Sequence, residues 1–208
     1  MKSAFSIIFS LLILISPFAQ ESKNARIDSA IKKTDRSVFL PEQLKNFADV
    51  DISIPLQDGG RIPSQADLEL ILQNITIKEN ARVLIIGNNA GYCAAVFSRI
   101  FSSVYLVETS HSQESYSNIF TPDNIRNVNV YYGNSYDYFR TAGPFDVIFI
   151  QGGIRTLSSL FIDMLKPDSE LLAPMLNQDG IQQLVKYKKS GSGTTISIVG
   201  NTFFRTLY

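Results

Sequence analysis

From residue 82 onward, short apolar runs alternate with segments whose apolar residues have helical spacing. Residues 83–86 are wholly apolar and mostly β-branched, which is typical of a strand buried on both faces of a sheet. Further strands are predicted at 104–107, 127–132, 146–150, 171–174, 194–199 and 202–207, with helices at 92–100, 157–165 and 181–188. This pattern predicts an α/β fold, with a mostly parallel central sheet flanked by helices and an antiparallel strand pair at the C-terminus.

The N-terminal part of the chain is predicted to form short helices around an irregular loop. Residues 26–33 have helical spacing, and a proline opens a second helical piece at 42–47. Two prolines and two glycines make 51–64 a loop. Ser64 has the side chain of a good N-cap for a helix at 65–73.

The first twenty residues have the pattern of a secretory signal peptide. Lys2 supplies a positive charge, residues 4–15 are apolar apart from two serines, and 16–20 form a small-residue exit. Residues 1–19 are therefore predicted to direct export, to the periplasm or out of the cell, with cleavage after Ala19. The apolar run is shorter than the ~20 residues that a membrane-spanning helix needs. The alternatives are an uncleaved N-terminal anchor, which is the only membrane contact we expect, and a cytoplasmic protein whose signal is unused.

The composition limits the kinds of site that the chain can build. Lysine plus arginine equal aspartate plus glutamate, 19 to 19, so no excess positive charge is available for phosphates and no nucleic-acid partner is expected. The single cysteine, Cys93, cannot form an intramolecular disulfide and is expected to be a small buried side chain. The single histidine, His111, can build neither a catalytic triad nor a multi-histidine metal site, and no metal is expected.

The best candidate site is the turn after the first buried strand. Gly87 and Gly91 bracket this turn between a strand and a helix, where glycine permits unusual backbone angles and close approach of a ligand. The next strand ends about twenty residues later in Glu108, whose carboxylate can accept hydrogen bonds from two ribose hydroxyls. These features predict a nucleoside-containing cofactor without identifying it.

The wider sequence narrows this prediction. The turn lies within RVLIIGNNAGYCAAVFSR, which is followed by VYLVE; GRIPSQ lies upstream, and NVNVYYGNS, PFDVIFIQGG, LKPDSELLAP and TFFRTL lie downstream. In order and spacing this chain resembles the protein-L-isoaspartate O-methyltransferases from about residue 25 to 207. The resemblance implies a Rossmann-like class I methyltransferase fold and S-adenosylmethionine as cofactor. It also implies methyl transfer to the carboxylate of isoaspartyl residues in damaged proteins or peptides. We expect the protein to be a monomer. With the N-terminal pattern, the predicted division is a signal peptide at 1–19, N-terminal helices with the substrate loop at 20–64, and a methyltransferase-like domain at 65–208.

The resemblance also assigns roles to individual residues. Ser64 matches the serine that closes the family's substrate loop, where a neutral hydroxyl orients the acceptor carboxylate without taking its charge. Helix capping alone is the alternative role for Ser64. The cofactor-binding positions are matched by Gly87, Asn88, Asn89, Gly91, Tyr92, Glu108 and Asn134.

Several residues depart from the family pattern. Ile85 stands where the family has an acid, Asn89 replaces the middle glycine of the loop, and Asn134 replaces an aspartate near the adenine. Asp168 and Ser169 replace a Gly-Gly pair in a later turn. With the export signal, these departures support a second hypothesis, a catalytically silent exported binding module. A third, another nucleoside-dependent enzyme such as a dehydrogenase, fits less well because the dinucleotide fingerprint lacks its last glycine.

Overall fold

A strand buried on both faces runs through the middle of the molecule, as the apolar run at 83–86 predicts. The computed structural model describes residues 17–109, 116–121, 123–133, 141–202 and 204. Its strands are β1 Ile54–Pro55, β2 Arg61–Ile62, β3 Arg82–Gly87, β4 Ser103–Glu108, β5 Val128–Tyr132, β6 Phe145–Gln151, β7 Leu165–Leu176, β8 Gln182–Ser190 and β9 Gly193–Asn201. Its helices are α1 Pro17–Lys32, α2 Gln65–Gln73, α3 Gly91–Ser98 and α4 Ser159–Asp163, with 3-10 helices η1 Arg36–Phe39 and η2 Glu42–Phe47.

Within the described residues, seven strands form one sheet in the order β5-β4-β3-β6-β7-β8-β9. The first five of these are parallel neighbours, while β8 and β9 run antiparallel to the strands beside them. The fold class expected from the sequence is therefore confirmed. Gly87 pairs with Glu108 on one side and with Gln151 on the other, so the carboxyl ends of β4, β3 and β6 meet at one edge of the sheet.

The two faces of the sheet carry two hydrophobic clusters. Ile85, Phe97 and Phe149 are fully buried in the cluster that also covers α1, α2 and α3, and the rings of Phe97 and Phe149 stack at 6.1 Å. Leu84 and Phe145 are buried on the opposite face. Alternate residues of β3 thus face opposite clusters, because successive side chains of a strand point to opposite sides. The expected burial of Cys93 is confirmed, and burial raises the pKa of its thiol.

The C-terminal elements differ in detail from the expectation. The helix predicted at 181–188 is wrong, because this segment is β8 and hairpins join it to β7 and β9. Gly180 and Gly193, both at positive φ, lie at the two connections. The antiparallel pair predicted between 194–199 and 202–207 is instead formed by β8 and β9, and most of the last predicted strand lies outside the described residues.

Two further predictions are corrected in length. The helix expected at 157–165 is reduced to α4, and the strand expected at 171–174 is the centre of the longer β7. The register between β6 and β7 shifts near the start of β7, in the stretch that contains Asp168 at a φ of 56°. Aspartate tolerates this left-handed conformation better than most residues, so the replacement of a glycine there is accommodated. In the described part of the chain, no helix combines the length and apolarity needed to cross a bilayer.

Candidate active site

The candidate site is built where β3, β4 and β6 end. A Cβ placed on Gly87 would lie 2.7 Å from both the Cβ and the carbonyl oxygen of Gln151. Because real Cβ atoms do not approach this closely, a glycine at this strand end allows β3 and β6 to stay paired to their tips. The chain then turns through Asn88, Asn89 and Ala90 into α3.

Asn89 holds the turn in a left-handed conformation and ties it to a neighbouring loop. Its φ is 55°, in the region that asparagine enters more readily than most residues. Its side-chain amide donates to Asp58 at 2.7 Å and to the side-chain oxygen of Asn88 at 2.9 Å. A Cβ on Gly60 would lie 2.3 Å from this amide nitrogen. The asparagine therefore preserves the turn and directs its side chain toward the connection between β1 and β2.

Glu108 carries a fully buried carboxylate at the tip of β4. It accepts hydrogen bonds from the backbone N–H groups of Asn89 at 2.8 Å and Ala90 at 3.1 Å. The hydroxyl of Tyr116 donates to its Oε2 at 3.0 Å. These three donors replace the hydrogen bonds to water that the carboxylate loses on burial. Ile85 is fully buried in the core and offers no acceptor, so among the described contacts Glu108 is the side chain that holds these loop amides.

Tyr116 covers the start of α3. Its hydroxyl accepts a hydrogen bond from the backbone N–H of Gly91 at 3.1 Å, and a Cβ on Gly91 would lie 2.3 Å from its ring. The rings of Phe39 and Phe120 pack against it at 6.3 and 5.5 Å. Burial, followed by the nearby charge of Glu108, raises the pKa of the Tyr116 phenol well above its ordinary value.

Gln151 places a polar side chain at the tip of β6. It is only 3% exposed, and its Nε2 lies 3.3 Å from the carbonyl oxygens of Arg61, Asn88 and Asn89. Its Oε1 is buried and has no hydrogen-bond partner among the described residues. An orphaned acceptor at this edge is suited to a hydrogen-bond donor of a ligand.

Tyr92 lies beneath the turn rather than facing a ligand. It is 2% exposed, and the guanidinium of Arg36 lies 5.7 Å from the centre of its ring. Arg36 in turn donates to the carbonyl oxygens of Val50 at 2.9 Å and Ile52 at 2.6 Å. Burial raises the pKa of Tyr92 to about 12, although the charge of Arg36 acts in the opposite direction. Tyr92 therefore supports the turn from within the core.

Ser64 caps α2 as the sequence predicts. Its hydroxyl accepts from the backbone N–H of Asp67 at 3.0 Å and donates to the carboxylate of Asp67 at 2.7 Å. The same carboxylate accepts from the backbone N–H of Ser64 at 3.1 Å, which completes a capping box. The capping role is therefore present, and Ser64 is a buried residue.

A cavity of about 770 Å³ opens beside the turn. Phe39 and Leu44 of the segment around η1 and η2 line this cavity, together with Leu56 from the connection between β1 and β2. Asn89 and Tyr116 also line the cavity, so it borders the turn. Its volume lies within the roughly 300–1,000 Å³ of small-molecule sites.

A second cavity, of about 840 Å³, lies away from the strand tips between α1 and the end of α3. Its lining includes Arg26 and Arg99, of which the first donates to the carbonyl oxygen of Ile100 and the second to the hydroxyl of Thr34. Cations near the C-terminal ends of helices stabilise those ends. Arg26 has this role at the end of α3.

The structure therefore brings Gly87, Asn88, Asn89, Gly91 and Glu108 together around one turn. It places Tyr92 beneath the turn and Ser64 at the start of α2, while Asn134 and His111 lie outside the described residues. Tyr116 and Gln151 also belong to this site and were not predicted from the sequence. A polar residue directly after the predicted strand 146–150 is a signal that could have identified Gln151, whereas Tyr116 has no such signal.

Comparison with known proteins decides the family. The family model described as "Protein-L-isoaspartate(D-aspartate) O-methyltransferase (PCMT)" matches residues 14–207. The chain belongs to this family. A protein-L-isoaspartate O-methyltransferase of Desulfosudis oleivorans is 30% identical over 176 residues, which cover 84% of this chain and 79% of the relative. The one from Flavobacterium johnsoniae is 31% identical, over 70% of this chain and 69% of the relative.

Solved structures show the same fold. A protein-L-isoaspartate O-methyltransferase superposes with a TM-score of 0.77 at 22% identity, over 91% of this chain and 63% of that chain. A Plasmodium falciparum β-aspartate methyltransferase, solved in complex with S-adenosyl-L-homocysteine, gives a TM-score of 0.73 at 17% identity, over 88% of this chain and 90% of that one.

The family uses S-adenosylmethionine, and the strand tips fit that cofactor in most respects. Gly87 permits the close pairing of the tips, Asn89 keeps the turn, and Glu108 presents a carboxylate suited to ribose hydroxyls. Gln151 adds an acceptor without a partner among the described residues. The exception is Tyr116, whose hydroxyl already occupies Oε2 of Glu108.

Proposed function

We propose that this chain transfers a methyl group from S-adenosylmethionine to the carboxylate of isoaspartyl residues in damaged proteins or peptides. The observation that carries the proposal is the buried carboxylate of Glu108 at the tip of β4, beside Gly87 and the left-handed turn at Asn89. The family match over residues 14–207 supports the reaction and the acceptor.

The cofactor, when bound, supplies a sulfonium methyl group that a carboxylate attacks in an SN2 displacement. Such a reaction needs little acid–base help, since an ionised carboxylate is already a nucleophile, and positioning supplies most of the rate. In this chain Glu108 would hold the ribose hydroxyls, and Gln151 would accept from a donor group. The cavity beside Asn89 leaves room for the acceptor peptide.

Ser64 is proposed to orient the acceptor carboxylate while it also caps α2. Its hydroxyl is engaged by Asp67 on both its donor and its acceptor side, so contact with an acceptor requires it to share or exchange its bond to the Asp67 carboxylate. A capping hydroxyl that only stabilises the helix would affect folding and leave turnover of folded protein unchanged.

Cofactor binding is tested first by calorimetric titration with S-adenosylhomocysteine, using protein purified from cells that express the full chain. We expect saturable micromolar binding that Glu108→Ala abolishes and that Glu79→Ala, at an exposed glutamate, leaves intact. Absence of binding at millimolar ligand, by the wild type and by Tyr116→Ala alike, would overturn the proposal. The chain would then be a catalytically silent exported binding module, as the buried Ile85 also allows.

The role of Ser64 is tested by comparing Ser64→Ala with Asp67→Ala in methylation of an isoaspartyl peptide. Both substitutions break the capping box and are expected to lower the stability of the fold by about 1 kcal/mol. If Ser64 orients the acceptor, Ser64→Ala alone lowers kcat/KM, by roughly tenfold for one lost hydrogen bond to a charged group. Equal activity of the two variants would show that Ser64 is a helix cap only.

Export is proposed from the first nineteen residues. The mass of the protein recovered from the periplasm or medium would show removal of residues 1–19. Recovery of the uncut chain in the cytoplasmic fraction would overturn export, and recovery in the membrane fraction would indicate an N-terminal anchor.

We also propose that the protein is a monomer, which light scattering would test.

A further inference from the structure

Tyr116 makes contacts at the strand tips that a nucleoside ligand would also need. Its hydroxyl donates to Oε2 of Glu108 at 3.0 Å and accepts from the backbone N–H of Gly91 at 3.1 Å. A ribose hydroxyl is likewise both donor and acceptor, and the proposed role of Glu108 is to accept from the ribose. The phenol and the ribose therefore compete for the same carboxylate oxygen.

The ring of Tyr116 also takes the space that Gly91 leaves open. A Cβ on Gly91 would lie 2.3 and 2.4 Å from two ring carbons, so the absence of a side chain at this position is what lets the ring pack there. Close approach of a ligand to the same backbone requires the same absence of a Cβ. With its ring in this place, Tyr116 excludes a ligand from that surface.

The cavity beside Tyr116 offers space into which its ring can move. Phe39 and Phe120 hold it by tilted aromatic contacts at 6.3 and 5.5 Å, and such pairs contribute modestly beyond the area that they bury. The cavity of about 770 Å³ lies against Tyr116 on one side. The ring can therefore leave Glu108 by moving into existing space, without displacing the sheet.

We infer that Tyr116 is an internal latch that occupies the ribose position on Glu108 and must swing aside for the cofactor to bind. This inference rests on the proposed function, since it concerns access to the same site. When the latch is closed, the apparent affinity for the cofactor is lowered by the fraction of molecules that are open. The latch thus makes cofactor affinity depend on whatever favours the open position.

The first test is calorimetric titration with S-adenosylhomocysteine of the wild type and of Tyr116→Phe. Removing the hydroxyl ends the competition for Glu108, and we expect the dissociation constant to fall by roughly tenfold, as for one hydrogen bond to a charged group. Tyr187→Phe is the matched control, because Tyr187 lies on β8 away from the strand tips, and it should leave the affinity unchanged. Unchanged or weaker binding by Tyr116→Phe would overturn the latch, and weaker binding would identify Tyr116 as a group that contacts the cofactor.

A second measurement does not depend on the cofactor. Thermal unfolding of Tyr116→Phe, Glu108→Gln and the double variant forms a cycle that reports the interaction of hydroxyl and carboxylate. We expect the two shifts in Tm to be non-additive, with the double variant less destabilised than their sum. Additive shifts would show that the contact is absent and would overturn the latch even if the proposed function holds.

The two measurements together separate the two proposals. Non-additive shifts with no ligand binding by any variant, including Tyr116→Ala, would mean that a feature other than Tyr116 closes the site, and both proposals would fail. Binding that appears only in the Tyr116 variants would support the latch and would show that the wild type is held closed.

Discussion

At the scale of single residues, the carboxylate of Glu108 has two roles at the strand tips. In this chain Ile85 belongs to the core, and the backbone N–H groups of Asn89 and Ala90 are held by Glu108. The same carboxylate is the one suited to ribose hydroxyls, so the shape of the turn and the recognition of the cofactor depend on a single side chain. A substitution at Glu108 is therefore expected to alter the turn as well as the binding of a ligand.

Asn89 gives a residue-scale prediction. Asn89→Ala removes the hydrogen bond to Asp58 and places an alanine at a φ of 55°, so we expect the free energy of unfolding to fall by about 1–3 kcal/mol. Asn89→Gly loses the same bond but adopts the turn without steric cost, so its loss should be smaller. Urea unfolding of the two variants measures the difference, and equal losses would show that the left-handed conformation contributes no strain.

At the scale of secondary-structure elements, the site depends on three strands that end in register. Gly87 pairs with Glu108 and with Gln151, and this pairing sets the distance between the buried carboxylate and the buried amide. Hydrophobic runs in the sequence predict these strands well, because a strand that is buried on both faces is apolar at nearly every position. The register itself is fixed by packing between neighbours, which a single strand does not encode.

The pairing of β3 with β6 predicts a large cost for a small substitution. Gly87→Ala would bring a Cβ within 2.7 Å of Gln151, so we expect a loss of about 1–3 kcal/mol in the free energy of unfolding together with weaker cofactor binding. Gly191→Ala is the matched control, since no atom lies within 4 Å of its added Cβ. Chemical denaturation compares the two, and equal stability would contradict the close pairing of the strand tips.

The same scale shows where prediction from sequence failed. Residues 181–188 have apolar spacing that fits a helix, yet they form β8, because hairpins on both sides place this segment between β7 and β9. Leu184 is buried in the first hydrophobic cluster, whereas Tyr187 packs against the second. Alternation of this kind is a strand pattern, but it becomes unambiguous only when the neighbouring strands are known.

At the scale of the whole molecule, the parallel sheet was predictable from the sequence, whereas the segments that fold over the site were not. The resemblance to the family places Gly87, Asn89 and Glu108 at one edge of the sheet, as observed. The contribution of Phe39 and of the turn containing Asp58 comes from residues far away in sequence that fold over this edge. Tyr116 reaches Glu108 through tertiary packing, for which no local pattern exists.

The buried phenols of Tyr92 and Tyr116 predict how the stability of the whole molecule changes at high pH. Burial raises the pKa of Tyr92 to about 12, while an unfolded tyrosine ionises near 10. Because the folded state disfavours the phenolate, the stabilisation from this group is fully present below pH 10 and is lost as the pH rises toward 12. The loss from Tyr92 should be roughly 1–3 kcal/mol, and the raised pKa of Tyr116 acts in the same direction. Denaturant unfolding of the wild type and of Tyr92→Phe between pH 9 and 12 measures it, and the variant should lose less stability over that range. Identical pH profiles of the two proteins would contradict a raised pKa at Tyr92.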